Sequence, residues 1–362
     1  MKVAIVHYWL NGMRGGEKVL ESLIDLYPQS DIYTNVYIPS NISDKINNQK
    51  VYTTFINNIP LSKKFYKYFL ILMPFALRVL NLKKYDLIIS SESGPSKGIV
   101  KRSNANHICY CHSPMRYIWD MKEDYTKNLN FLMKIATKIF FPYLKKWDIK
   151  SAKNIDMIIT NSNFVKDRVR KYWNQDACVV HPPVKIDEFN IADEVDDYYL
   201  VLSQLVEYKR IDVAIEAFNK YNKKLVVIGE GDELNNLKKI AKKNILFLGW
   251  QSEENKKKYL SGCKALIFPG IEDFGIVPIE AMASGRPVIA LKIGGALDYI
   301  INMENGIFFN EQSSDSLLEA LNQFENNSDK FNPNLIKKSV MKFNYTVFNQ
   351  KIKKIIDDVR TK

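Results

Sequence analysis

The sequence predicts an α/β protein built from two doubly wound domains. Three observations predict it: a length of 362 residues, two successive series of short apolar runs alternating with helical stretches, and an acidic segment poor in apolar residues between the series. A chain this long exceeds one ordinary core, so two domains of roughly 150–200 residues are expected. Apolar runs that alternate with helix-period stretches are the pattern of parallel strands covered on both faces.

The first series is "KVAIVHYW", "DIYTNVYI", "DLIISSES", "NHICYCHS", "MIITNSN" and "ACVVHPPV", and the second is "YYLVLSQL", "KLVVIGEG", "NILFLGW", "KALIFPG", "PVIALKI" and "GIFF". Between them lies "KIDEFNIADEVDDY", which places the domains at 1–190 and 191–344. The closing "YTVFNQKIKKIIDDVRTK", residues 345–362, reads as a helix expected to pack back on the first domain.

Composition is that of a globular chain, with no window of the ~20 apolar residues a membrane span needs. "MKVAIVHYWL" is too short and too lightly flanked for a signal peptide. The four cysteines, Cys109, Cys111, Cys178 and Cys263, suit reduced thiols better than a disulfide scaffold. The net charge of +12 is uneven: residues 1–190 hold 28 Lys/Arg against 16 Asp/Glu, and the remainder holds 24 of each. A basic first half suggests an anionic partner for that half, or a lysine-rich proteome, although the latter leaves the asymmetry unexplained. Two segments, "LSKKFYKYFLILMPFALRVLNLKK" and "FLMKIATKIFFPYLKKWDIKSAK", interleave aromatics and aliphatics with lysines. They read as amphipathic helices that meet an anionic membrane surface, or as core helices with solvated lysines. Lys63, Lys64 and Lys67 are the candidate contacts.

Four stretches carry candidate chemistry. In "NGMRGGEKVLE", Gly15 and Gly16 stand where a helix begins, so their N–H groups and the helix dipole suit a phosphate; a plain tight turn is the alternative. In "SQLVEYKRIDVAIEAF", Ser203, Lys209 and Arg210 fall between a strand and a helix, where a diphosphate would meet a hydroxyl and two cations, unless these cations are merely solvated. In "NHICYCHSPMRYIWD", His107, Cys109 and Cys111 share a strand face but are spaced too far apart for one metal, with no second cluster to complete a set. His112 and Arg116 follow that strand, where polar groups face a cleft; His7 and His181 read as structural.

The fourth stretch is "FPGIEDFGIVPIEAMASGRPVIA". "KALIFPG" ends a buried strand, Pro278 suits a first helical position, and Gly285 with Pro287 ends the helix. Glu272 is therefore expected in the loop after a strand and Glu280 in the first turn of the next helix, where open α/β sheets bind ligands. The helix dipole offers a purely structural reason for Glu280, but not for Glu272. No Asp-x-Asp pair occurs in the chain, which favours neutralisation of a diphosphate by Lys, Arg and helix N-termini over a divalent ion.

Taken together, these stretches resemble the family 4 glycosyltransferases of the GT-B fold, over nearly the whole chain and with the E-x7-E spacing of Glu272 and Glu280 as the signature. The resemblance implies two facing Rossmann-like domains with the active site in the cleft between them. It is nearest to bacterial GDP-mannose-dependent mannosyltransferases of O-antigen and capsule assembly. It places Glu272 beside the donor sugar, the amides of Asp273, Phe274 and Gly275 on sugar hydroxyls, and Glu280 on the ribose. Lys209, with Ser203 or Arg210, faces the diphosphate; Gly15 and Gly16 close from the other domain; His112 touches the donor sugar; and the base lies near Gly229. Gln204 departs from the pattern, standing where the family usually has an arginine.

The implied reaction is hexosyl transfer with retention from a nucleotide sugar, GDP-mannose foremost, with no metal and no other cofactor. The acceptor would be a polyprenyl-diphosphate-linked oligosaccharide at the inner face of the plasma membrane, the enzyme being cytoplasmic and peripheral. The alternatives are a UDP-sugar donor, a soluble acceptor, a sugar-nucleotide epimerase, or an inactive sugar-nucleotide binder. A nucleic-acid-binding role is disfavoured because no standard motif appears and the aromatic-basic segments look helical.

Overall fold

The computed structural model describes residues 1–126 and 130–361. Two compact units divide it, Met1–Pro183 with Thr346–Lys362, and Val184–Tyr345.

In the first unit, seven parallel strands run in the order β3-β2-β1-β4-β5-β6-β7: β1 Val3–His7, β2 Asp31–Thr34, β3 Val51–Thr53, β4 Leu87–Glu92, β5 Asn106–Cys111, β6 Met157–Thr160 and β7 Cys178–Val179. On one face, helix Gly15–Leu26 buries Val19, Leu20, Leu23 and Ile24 against Ile5 and Ile89. The helix Tyr345–Arg360 adds Phe348, Ile352 and Ile356 to that core, a stripe at helical spacing. Lys362 lies outside the described residues.

In the second unit, six parallel strands run β10-β9-β8-β11-β12-β13: β8 Tyr199–Leu202, β9 Leu225–Ile228, β10 Ile245–Gly249, β11 Leu266–Phe268, β12 Val288–Leu291 and β13 Gly306–Phe309. Both orders reverse direction beside the first strand, between β1 and β4 and between β8 and β11. Such switch points leave a crevice outside the carboxyl ends of the strands.

Three expectations differ from the structure. The second unit begins at Val184, just before the acidic segment, because Val184, Ile186 and Phe189 are buried in its core and Val184 N–H donates to Phe343 O. Strand β3 has only three residues, at the sheet edge, and gives no apolar run. The lysine-aromatic segment from residue 61 is not one amphipathic helix. It forms a turn at Ser62–Phe65, a 3₁₀ turn at Tyr66–Phe69 and a helix at Met73–Arg78. Pro74 stands in the first turn of that last helix, where its missing N–H is harmless. The other such segment is a continuous helix, Phe131–Ala152, with Pro142 inside it. Among the described residues, no helix is long and apolar enough to cross a membrane.

Candidate active site

The β8/β11 switch point gathers several of the predicted residues. After β8 the chain passes Ser203 and Gln204, makes a 3₁₀ turn over Glu207–Lys209, and enters helix Ile211–Tyr221. After β11 it passes Gly270 and Glu272 and enters helix Ile276–Ala283. The Lys209 ammonium forms an ion pair with Glu272 Oε1, with both side chains mostly but not fully buried. Gly270 makes this approach possible: a Cβ there would lie 2.9 Å from Lys209 O and 3.0 Å from its Cα. Gly229, after β9, has φ +137, and a Cβ on it would run into Ser203 O. Gly229, Ser203, Lys209 and Glu272 thus line the carboxyl ends of neighbouring strands.

The loop carrying Glu272 is held from below. Gly295 N–H donates to Glu272 O at 2.9 Å. The Phe274 ring is buried edge-on against Tyr299 and Phe343, with centroids 5.5 and 5.7 Å away. Burial, together with the charge of Glu272, pushes the Tyr299 phenol well above its ordinary pKa. Gly275 caps the helix at φ +86, so the helix starts at Ile276, two residues before Pro278. Glu280 is consequently in the second turn, a correction to its expected first-turn place. Pro278 is tolerated because the first four N–H groups of a helix have no partner within it.

Arg210 is directed differently from Lys209. Its Nε lies 3.1 Å from both carboxylate oxygens of Asp212, Nη2 donates to Asp212 Oδ2 at 3.0 Å, and Nη1 donates to Gln312 Oε1 at 3.2 Å. Gln312 Nε2 in turn donates to Pro269 O at 2.9 Å, so Arg210 ties the two loops together.

At the β1/β4 switch point, parallel register sets His7 opposite Ser91. His7 Nδ1 is 2.9 Å from Ser91 Oγ, and His7 Nε2 is 3.2 Å from Glu17 Oε1. Ser91 Oγ is also 2.8 Å from His112 Nε2. The backbone of His112 is fixed on both sides: its N–H donates to Glu92 O at 2.8 Å, and its carbonyl accepts from Asn161 Nδ2 at 2.9 Å. Gly15 and Gly16 open helix Gly15–Leu26, and Glu17 accepts the Arg14 N–H at 2.8 Å. Arg116 follows in a loop clamped by Arg168, which donates to Ser113 Oγ at 2.6 Å and to Asp120 Oδ1 at 2.7 Å.

Sequence reasoning passed over Glu17, Ser91 and Lys97. Lys97 is fully buried between Glu92, at 3.2 Å, and Asp148, which also accepts from Trp119 Nε1 at 2.8 Å and Trp173 Nε1 at 2.6 Å. Burial opposes its charge, yet Asp148 and Glu92 hold its pKa above the ordinary lysine value. This satisfied network ties the end of β4 to helix Phe131–Ala152. His107 pairs with Ser90 Oγ at 2.9 Å, and Cys109 and Cys111 pack among Val165, Val169 and Trp173.

Lys63, Lys64 and Lys67 are exposed, beside exposed Leu61, Phe65, Tyr68 and Phe75. On helix Phe131–Ala152, Phe131, Ile139 and Tyr143 are more than half exposed.

Comparison with known proteins resolves the family. The family described as "Glycosyltransferase Family 4" matches residues 13–188, and "Glycosyl transferases group 1" matches 185–340. The chain belongs to glycosyltransferase family 4. This glycosyltransferase has the GT-B fold, each of its units being a parallel Rossmann-like sheet. It is 25% identical over 329 residues to the alpha-1,3/1,6-mannosyltransferase ALG2 of Dictyostelium discoideum, covering 76% of each chain. It is 29% identical over 211 residues to the O-antigen chain mannosyltransferase RfbU of Salmonella typhimurium, covering 54% of this chain and 58% of that one. Its fold is similar to the crystal structure of Anabaena HepE in complex with UDP-glucose, with TM-score 0.73, 14% identity, and coverage of 99% of this glycosyltransferase and 100% of HepE.

Proposed function

We propose that this glycosyltransferase moves a mannosyl group from GDP-mannose to a lipid-linked glycan acceptor of bacterial surface polysaccharide, with retention and without a metal. The observation that carries the transfer chemistry is the Lys209–Glu272 pair at the β8/β11 switch point. Its placement there, outside strand ends, suits a cation that meets a diphosphate and a carboxylate that meets the sugar bound to it. Mannose is supported by ALG2 and RfbU, both named mannosyltransferases.

In this reading the second unit binds the donor. Lys209 neutralises the diphosphate, with Ser203 beside it, while Arg210 holds the loops through Asp212 and Gln312. Amides of Asp273, Phe274 and Gly275 take sugar hydroxyls, Glu280 takes the ribose, and the open backbone at Gly229 admits the base. The sugar C1–O bond to the β-phosphate breaks, the acceptor oxygen bonds to C1 from the same face, and the acceptor proton passes to the leaving phosphate. Lys209 contributes because negative charge grows on that phosphate in the transition state. The first unit binds the acceptor. It brings His112 to the sugar, Gly15 and Gly16 as anion-receiving amides, and Arg116 toward the acceptor. Exposed lysines and aromatics of the two lysine-rich segments suit docking on an anionic membrane from the cytoplasmic side.

The test is incubation with GDP-mannose, UDP-glucose and UDP-GlcNAc, each with a polyprenyl-diphosphate-linked acceptor and EDTA, followed by mass and NMR analysis of product. An α-mannosylated lipid formed in EDTA is expected. Product from a UDP-sugar alone overturns the donor, an inverted linkage overturns the stereochemistry, and free sugar without transfer overturns the acceptor.

A further inference from the structure

Among the described residues, the hydroxyl of Tyr299 is fully buried and has no hydrogen-bond partner. A hydroxyl so placed gives up its water without compensation, so its presence calls for a reason. Tyr299 closes the 3₁₀ turn Gly294–Asp298, and that same turn grips the Glu272 loop. Gly295 N–H donates to Glu272 O at 2.9 Å, and a Cβ on Gly294 or Gly295 would lie 2.6 Å from Glu272 O or 2.4 Å from Phe274 Cα. The Tyr299 ring is fixed edge-on against Phe274 and Phe343, with centroids 5.5 and 6.4 Å away, and Asn305 Nδ2 donates to Tyr299 O at 3.0 Å. The hydroxyl therefore reaches under the loop, 2.9 Å from where a Cβ of Gly275 would stand. After burial, the charge of Glu272 is the largest cause of its raised pKa, so the phenol and that carboxylate are electrostatically coupled. The carboxylate is meanwhile held by the Lys209 ammonium. A cation that turns to another anion releases its carboxylate, and a largely buried carboxylate then needs a new donor.

We propose that Tyr299 is a positioning residue for Glu272: its hydroxyl takes up the Glu272 carboxylate when Lys209 leaves it for an anionic ligand. That the ligand is a sugar diphosphate rests on the transferase reading above. The exchange of one carboxylate between two partners does not, since removing the Lys209 side chain frees Glu272 without any ligand. The phenol stays protonated and donates, the carboxylate stays ionised and accepts, and no proton is transferred. One hydrogen bond is thus withheld in the free protein and made in the bound one, so its gain accrues to binding rather than to folding. The carboxylate also keeps a fixed direction while its ion pair is open, as a group beside a reacting sugar requires.

The experiment is a cycle of Tyr299→Phe and Lys209→Ala, read by thermal unfolding of the whole chain without ligand. Tyr299→Phe deletes the hydroxyl and keeps the ring. In the parent it is expected to leave the melting temperature unchanged or to raise it, because a buried polar atom is removed and no bond is lost. In Lys209→Ala the same substitution is expected to lower it by about 2–4 °C, because there the hydroxyl holds Glu272. Equal shifts in the two backgrounds overturn the proposal, and so does a drop in the parent, which means that the hydroxyl is already bonded. Should Lys209→Ala fail to fold, Lys209→Met keeps the apolar stem and takes its place in the cycle. Calorimetric titration with GDP-mannose and UDP-glucose reads the ligand side. Whichever of these the parent binds should bind about tenfold more weakly to Tyr299→Phe, and Tyr299→Phe should add nothing further in Glu272→Ala. Equal binding by the parent and Tyr299→Phe overturns the exchange on ligand binding. A parent that binds neither compound yet shows the background-dependent shift in melting refutes the transferase reading and leaves the exchange intact.

Discussion

At the β1/β4 switch point Glu17, His7 and Ser91 are sealed from water and hydrogen-bonded in series, whereas at β8/β11 the ion pair of Lys209 and Glu272 retains some exposure. The two sheets share a strand order, so topology alone does not cause the contrast. Loop composition does. After β1 the chain enters a helix whose first turn supplies Glu17, and His7 and Ser91 close the gap beneath it. After β9 and β11, Gly229, Gly270 and Gly275 keep the backbones bare and the charged side chains at the rim. A sealed network holds a geometry, because an unmade bond in it costs the full desolvation of its group. A part-exposed ion pair is suited to exchange, because water and an arriving phosphate both compete for the same cation.

Breaking the rim should cost the most. Lys209→Ala removes the cation proposed to meet the leaving phosphate and is expected to lower kcat/KM by about 10²–10³-fold, roughly 3–4 kcal/mol, measured by product formation. A loss below about threefold would return Lys209 to a structural role.

Charge on the first unit's surface should act on a different observable. Replacing Lys63, Lys64 and Lys67 together by serine is expected to weaken binding to phosphatidylserine vesicles by about 3 kcal/mol, at about 1 kcal/mol per lysine. Affinity for GDP-mannose in solution should not change. Co-sedimentation with anionic and neutral vesicles checks the first statement and calorimetry the second.

Sealing has a signature in acid. Burial pushes the His107 ring down to about 4 from the ordinary imidazole value of 6.5. Between those values the unfolded chain binds the proton and the folded one does not, so stability is full above pH about 6.5 and falls as pH drops toward about 4, by about 3 kcal/mol. Urea unfolding across that range should show the slope, and His107→Gln should flatten it. The smallest effect sharpens the rim: Glu280→Ala should weaken GDP binding by roughly tenfold, about 1.5 kcal/mol, the worth of one charged hydrogen bond. Kinetic and binding losses should coincide there, since a ribose contact is made equally in ground and transition states.

Much of the rim was legible in the sequence because it depends on local grammar. An apolar run ended by Pro-Gly, then a glutamate, then a helix is enough to put Glu272 at a strand end, and the same reasoning places Lys209. The helix start was misjudged by two residues because Gly275, at positive φ, caps more strongly than Pro278 signals. The break before Pro74 was overlooked because the lysine-aromatic pattern suggested a single periodic helix. The sealed chain was illegible for a deeper reason. His7 and Ser91 are 84 residues apart and become neighbours only through strand order, and nothing in "KVAIVHYW" or "DLIISSES" announces that the two strands pair. Lys97 was passed over likewise, since its partner Asp148 is 51 residues distant.

The most direct measurement of the central claim is calorimetric titration of GDP-mannose, in EDTA, into the parent protein and Lys209→Ala. Saturable binding by the parent that weakens at least tenfold in the variant is the predicted result. Binding of equal strength by both would contradict a donor site built on Lys209, and absence of binding alongside tight binding of UDP-glucose would contradict the GDP-mannose assignment.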